Sequence, residues 1–435
     1  MFSRRGLLRG AAVAGAVSLT GLAAGCGDDD GALTFFFGAN PDEEKARMRV
    51  IEEFQRRNPD IRVRTVLSGS DSMQQMSTFC AGGKCPDVLM AWELTYAGLA
   101  DRGVLLDLNT MLQHDPVFAA ELKADSIPAL YDTFGYSGGQ YAIPEQWAGI
   151  FVFYNKKLFA EAGLRPPPSR WDQSWSFAEF LDAAQALTKR DDSSRRTRWG
   201  FVDTWEPYLS AGLFGMNNGT PWCVPQANPT HLNFDDEGFI EGVQFYADLA
   251  NRYKVAPTAA EKQSVSMMDL FANGKAAMAL GGHWRYQTFS QAEGLDFDVT
   301  VLPHGPKARN ALSDIGTTGL AIAASSPRRK QAWEFVKFAT GPIGQTIIAE
   351  SGLFVPVIQS AIHSPGFTKT HARITNLAVL TEGPAHSGYL PVTPVWKRIE
   401  ALMDRNFGPV LRGALPAKTF QTGLSRDVDE VLRNT

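Results

Sequence analysis

Cysteine is scarce in this chain, with four residues in 435, and histidine is little commoner at seven. No two histidines stand four apart, so no helix face offers the paired imidazoles of a transition-metal site, and no metal is expected. Positive charge is short as well: 42 basic residues face 46 acidic ones, and three of the basic ones, Arg4, Arg5 and Arg9, crowd the N-terminus. Nucleic-acid binding needs a basic face that displaces counterions, and nothing here suggests one. Past the N-terminus no apolar run reaches the ~18 residues that a membrane span requires. The phosphate-cradling pattern G-x-x-x-x-G-K-[ST] is missing too, because Gly274-Lys275 is followed by Ala276. Hydrolysis of ATP through that motif is therefore not expected of this chain, and no cofactor is expected.

What is present is apolar mass: 44% hydrophobic residues over this length support two or three domains of roughly 150 residues each. Residues 1–25 read as an export signal, in which Ser3-Arg4-Arg5-Gly6-Leu7-Leu8-Arg9 precedes a small-residue apolar run at 11–24. The paired arginines resemble the twin-arginine export signal. Leu22-Ala23-Ala24-Gly25-Cys26 resembles a lipobox, whose cysteine takes up diacylglycerol before cleavage; the alternative is an ordinary secretory signal cut at another small residue. The expectation is a protein held by lipid on Cys26 at the extracytoplasmic face of the cell membrane, with residues 26–32 as a polar tether. Cys80 and Cys85 bracket Ala81-Gly82-Gly83-Lys84, where two glycines let the backbone turn back, so a small-loop disulfide is expected against the alternative of two free thiols. Cys223, between Trp222 and Val224, reads as a buried, inert thiol.

Along the rest of the chain strands alternate with helices. Residues 33–37 form an apolar run suited to a buried strand, 43–57 are helical in period, Asn58-Pro59-Asp60 stops that helix, and 61–66 alternate like a second strand. The rhythm continues with a strand at 87–91 and a short helix at 96–102, then a strand at 149–154 and a helix at 177–189. A helix at 239–253, a strand at 276–280 and a helix at 331–340 follow. Such alternation predicts an α/β fold with largely parallel sheets.

Several stretches then resemble, in order, the family 1 extracellular solute-binding proteins, the sugar-binding lipoproteins related to maltose-binding protein. They are Pro86-Asp87-Val88 with Leu99-Ala100-Asp101-Arg102-Gly103, Tyr141-Ala142-Ile143-Pro144, and Phe153-Tyr154-Asn155-Lys156-Lys157-Leu158-Phe159 with Ala162-Gly163-Leu164. Phe271-Ala272-Asn273-Gly274-Lys275-Ala276-Ala277-Met278 with Gly282-His283-Trp284 comes next, and Gly319-Leu320-Ala321-Ile322 with Ala332-Trp333-Glu334-Phe335-Val336-Lys337-Phe338 completes the series. The resemblance implies a two-lobed periplasmic-binding-protein fold of type II that closes about a hinge. The implied N-terminal lobe is 31–143 with 306–353, and the C-terminal lobe is 144–305 with 354–435. It also implies a monomeric receptor that holds a sugar between the lobes and delivers it to the permease subunits of an ABC importer.

A sugar ring offers hydroxyls at its edge and C–H patches on its faces, so its binder needs polar side chains beside an aromatic platform. Ten tryptophans supply platforms, and many fall where strands should end in loops. Trp92-Glu93, Glu145-Gln146-Trp147, Trp205-Glu206, Gly282-His283-Trp284 and Trp396 are the candidates, with Asn40 and Asp71 as further edge contacts. Trp333, on a helix at apolar spacing with Val336, reads as core, and Trp171, Trp175 and Trp199 fit either place. The rival reading is a secreted glycoside-active enzyme, which needs two carboxylates across the scissile bond. Gly135-Tyr136-Ser137-Gly138-Gly139 fits the nucleophile pattern G-x-S-x-G, but its flanks read as a hairpin. Within the receptor class the alternative ligands are a phosphorylated polyol and a peptide.

Overall fold

Strand Leu33–Phe37 opens the fold, and its apolar residues are buried on both faces, as a strand covered by helices on each side must be. The computed structural model describes residues 30–68 and 72–434; Cys26 and Asp71, with the lipidation site and one candidate contact, lie outside them. Asn40 starts the helix Pro41–Arg57: its side chain accepts from the N–H groups of Asp42 and Glu43, while the Glu43 carboxylate accepts from the Asn40 N–H. Ala46, Val50, Ile51 and Phe54 recur at helical spacing and are buried, which lays that face on the core.

Two five-stranded sheets carry the fold. The first runs in the order Val63–Leu67, Leu33–Phe37, Val88–Trp92, Thr317–Ile322, Ile143–Trp147. The second runs Phe297–Thr300, Ile150–Asn155, Ala276–Gly282, Arg196–Asp203, Lys189–Arg190. The expectation of largely parallel sheets needs correction, for both are mixed. In the first, the strands linked by helical crossovers are parallel, but Thr317–Ile322 lies antiparallel between its two neighbours. In the second, Ala276–Gly282 and Arg196–Asp203 are parallel and the other pairings are antiparallel. A helical crossover returns the chain to the same end of a sheet, whereas a strand arriving from the other sheet is free of that constraint.

The chain passes between the sheets at neighbouring places. Ile143–Trp147, which straddles the expected boundary at 143/144, pairs in the first sheet; after Ala148-Gly149 the next strand belongs to the second. The return falls between Thr300 and Thr317, and a third passage has Phe354 in the core of the first sheet and Val355 in that of the second. Backbone bonds lace them together: the Trp147 N–H donates to Val355 O at 2.9 Å and the Ala148 N–H to Gly316 O at 2.7 Å.

Trp333 packs edge-on against Phe118 in the first core, with ring centroids 5.3 Å apart. Trp171 and Trp175 are buried in the second core, and Trp199 packs against it partly exposed. Cys80 and Cys85 are joined by a disulfide, and Cys223 is free and buried, its thiol pushed up to about 12 by that burial. Ser137 and Gly138, with φ of 49° and 83°, turn the hairpin between Gly135–Tyr136 and Gly139–Gln140. The serine of G-x-S-x-G thus sits in a strand-to-strand turn and not at a nucleophile elbow. No helix among the described residues is long and apolar enough to cross a membrane.

Candidate ligand-binding cavity

Beside the passages, loops from both sheets meet around a cavity of about 300 Å³. The first sheet supplies Trp92 and Glu93 at the end of one strand and Gln146 and Trp147 at the end of another. The second supplies Trp205 after Arg196–Asp203, and His283 and Trp284 after Ala276–Gly282. The structure therefore gathers in one place seven of the residues singled out by type and position in the sequence.

Local bonds hold the loops that carry the aromatic rings. Trp92, Trp205 and Trp284 are half-buried and keep ring surface open to the cavity, whereas Trp147 is fully buried. The Trp205 N–H donates to Asp203 Oδ1 at 2.8 Å, the Thr204 hydroxyl to Leu280 O at 2.8 Å, and the Arg285 guanidinium to Thr204 O at 2.7 Å. Those bonds tie the Trp205 loop to the strand and turn that carry Trp284. Gly282 lies beneath Trp284: a Cβ there would sit 1.9 Å from Cζ3 of the indole. Gly282 is thus the floor under a ring and lies outside the cavity lining. Gly149 does the same for Trp147, whose Cζ2 would be 1.9 Å from an added Cβ.

His283 faces the cavity in front of a second, buried histidine. Its Nε2 lies 2.8 Å from Nε2 of His371, whose Nδ1 lies 2.8 Å from Phe367 O. A carbonyl only accepts, so His371 carries its proton on Nδ1 and His283 donates from Nε2. Burial lowers both below the ordinary imidazole range, His283 strongly and with the neighbouring imidazole adding to it, and His371 to about 4.

Asp314, absent from the sequence candidates, enters the wall from the second passage. It is 4% exposed and its Oδ1 has no hydrogen-bond partner. Burial raises the Glu93 carboxyl, and the charge of Asp314 raises it further against the backbone N–H bonds that favour the anion. Asp314 is raised by burial too, opposed by the N–H groups of Gly316 and Ile315. Thr317, Thr318, Leu94, Leu209 and Phe354 also line the cavity and were not anticipated. The polar, glycine-containing stretch Ser313-Asp314-Ile315-Gly316-Thr317 ahead of a strand was the signal that could have found Asp314.

Four candidates are placed elsewhere. Glu145 is buried and gripped by Arg47, with N–O distances of 2.5 and 2.9 Å, and it accepts from the Thr318 hydroxyl at 3.0 Å, so its oxygens are occupied. Asn40 is exposed and spends its side-chain oxygen on the helix cap, although its cap partner Glu43 does reach the cavity. Glu206, exposed before helix Pro207–Met216, borders a separate cavity of about 250 Å³ with Tyr208 and Tyr246. Trp396, the first residue of helix Trp396–Leu411, is 2% exposed within the second core and offers no face to a ligand.

Two α/β lobes, linked by passages that edge a cavity between their strand ends, define a binding protein of the two-lobed periplasmic type. The chain belongs to the bacterial extracellular solute-binding protein family, whose profile matches residues 38–346. It is similar to the maltotriose-binding protein of Pyrococcus abyssi, with 23% identity over 94% of this chain and 83% of that one. The diacetylchitobiose binding protein of Streptomyces coelicolor is 22% identical over 97% of this chain and 94% of its own. Among solved structures, an ABC substrate-binding protein of Listeria monocytogenes in complex with cycloalternan superposes with a TM-score of 0.79 at 22% identity, covering 93% of this chain and 98% of the other.

Proposed function

We propose that this protein is the sugar-capturing subunit of an ABC importer. The observation that carries the reading is the convergence of Trp92, Trp205 and Trp284, half-buried and drawn from both lobes, on a cavity that also offers Gln146, Thr317 and Thr318 as edge contacts. At about 300 Å³ the cavity is at the small end of the ~300–1,000 Å³ usual for ligands, which suits one or two sugar rings. A ligand touching both lobes binds the closed arrangement better than an open one, so it shifts the lobes toward closure by that difference in affinity. The permease then meets a surface distinct from that of the empty receptor. Among the described residues that line the cavity, acids are present and lysine and arginine are not, which weighs against a phosphorylated polyol.

The paired carboxylates Glu93 and Asp314 make hydrolysis the rival chemistry. Capture without turnover is supported by the relatives, whose names describe binding proteins. The export signal and the lipobox-like Leu22-Ala23-Ala24-Gly25-Cys26 support an extracytoplasmic site held by lipid on Cys26. Titration calorimetry and melting against mono- and disaccharides, with the mixtures assayed for new reducing ends, test the reading. Saturable heat and a raised Tm without new ends are expected. Cleavage of any sugar would replace the receptor with an enzyme.

A further inference from the structure

Three carboxylates, Glu43, Glu93 and Asp314, line the cavity, and among its described lining residues no lysine or arginine answers them. The buried guanidinium of Arg47, behind the wall, is already committed to Glu145, and the Arg285 guanidinium donates to Thr204 O. Asp314 is the sharpest case, 4% exposed with Oδ1 lacking any hydrogen-bond partner. A buried acceptor without a partner is costly, and more so when charged, so one kept in a cavity wall is a natural place for a donor of the ligand. Beside these acids stand the indoles of Trp92, Trp205 and Trp284, whose faces attract a cation through the ring quadrupole.

Resting on the carbohydrate reading above, we propose that the cognate ligand carries a protonated amine, as an amino sugar does, seated between Asp314 and Glu93 against the tryptophan faces. A neutral sugar can share hydroxyl hydrogen bonds with these acids but does nothing to favour their charged forms. An ammonium group supplies several donors and the opposite charge at once. Burial presses both carboxyls toward the neutral form, with the charge of Asp314 adding to it at Glu93, and a cation relieves that pressure.

The test uses three disaccharides of one linkage and differing in charge: the β1,4-linked glucosamine dimer, its N,N′-diacetyl form and cellobiose, with choline as a cation that is not a sugar. Calorimetry at neutral pH should show the glucosamine dimer binding about tenfold or more tighter than cellobiose. In the double variant Glu93→Gln/Asp314→Asn that preference should vanish, while Tm holds or rises because buried charge has been removed. Equal or tighter binding of cellobiose or the diacetyl dimer overturns the amine proposal and leaves the carbohydrate reading standing, and so does a preference that survives in the double variant. Binding of choline with none of the saccharides supports the cation site and overturns the carbohydrate reading. No heat from any of the four overturns both.

Discussion

Arg47 and Glu145, separated by 98 residues in sequence, form a buried pair with N–O distances of 2.5 and 2.9 Å. The pair stands behind the cavity wall: Thr318 donates to Glu145, and the Arg47 guanidinium lies 5.3 Å from the ring centroid of Phe354, while Thr318 and Phe354 both line the cavity. Removing one partner strands a buried charge, so Glu145→Gln should lower stability by about 3–5 kcal/mol by chemical denaturation. A Glu145→Gln protein that melts like wild type but loses its sugar would return Glu145 to the ligand contacts.

Trp284 and Trp396 separate binding from folding. Trp284→Ala removes a half-exposed face and should weaken sugar binding by about 1–3 kcal/mol with a small change in Tm. Trp396→Ala opens a core cavity and should cost about 3–5 kcal/mol of stability, with unchanged affinity in the fraction that stays folded. The two variants, titrated and melted in parallel, decide whether Trp396 holds the core or touches the ligand.

Gly282 gives a finer probe of the same wall. A Cβ there would press on the Trp284 indole at 1.9 Å, so the ring must move for Gly282→Ala to fit. Affinity should fall by about tenfold, near 1.4 kcal/mol, although alanine touches no ligand. Unchanged affinity would mean that the Trp284 ring position is irrelevant to binding.

The strands and helices were legible because burial leaves a period: Leu33–Phe37 is apolar throughout, and Pro41–Arg57 repeats its apolar residues at helical spacing. Trp92, Trp205 and Trp284 were legible as loop tryptophans after strands, and the structure places them around one cavity. Three things were not legible, each for a long-range reason. Glu145 found its partner 98 residues away, which no local pattern encodes. Trp396 lies beside prolines and looks like loop, yet it begins an amphipathic helix whose apolar stripe includes Ile399, Met403 and Phe407. The direction of Thr317–Ile322 depends on the chain returning from the other lobe, which leaves no mark on the six residues themselves.

The buried imidazoles predict how stability responds to acid. Burial lowers His371 to about 4 in the folded protein and holds His283 well below the ordinary imidazole range, whereas an unfolded histidine titrates near 6.5. Between those values the unfolded chain binds protons that the folded one refuses, so this contribution to stability is complete above pH ~6.5 and is lost as pH falls toward 4. Each histidine contributes at most about 1.4 kcal/mol per pH unit. Glu93 and Asp314 act in the opposite sense, since their raised carboxyls hold protons in the folded state that the unfolded chain has released, and they favour folding at lower pH. The net slope of the wild-type protein therefore mixes the two, and a variant is needed to isolate the imidazoles. His371→Leu removes one of them, and denaturant melts at pH 7 and pH 5 should show a smaller loss of stability on acidification than in wild type, whatever the absolute cost of the substitution. If both proteins lose the same amount between those two pH values, His371 is already charged in the fold, and the neutral pair assigned from the 2.8 Å contact is wrong.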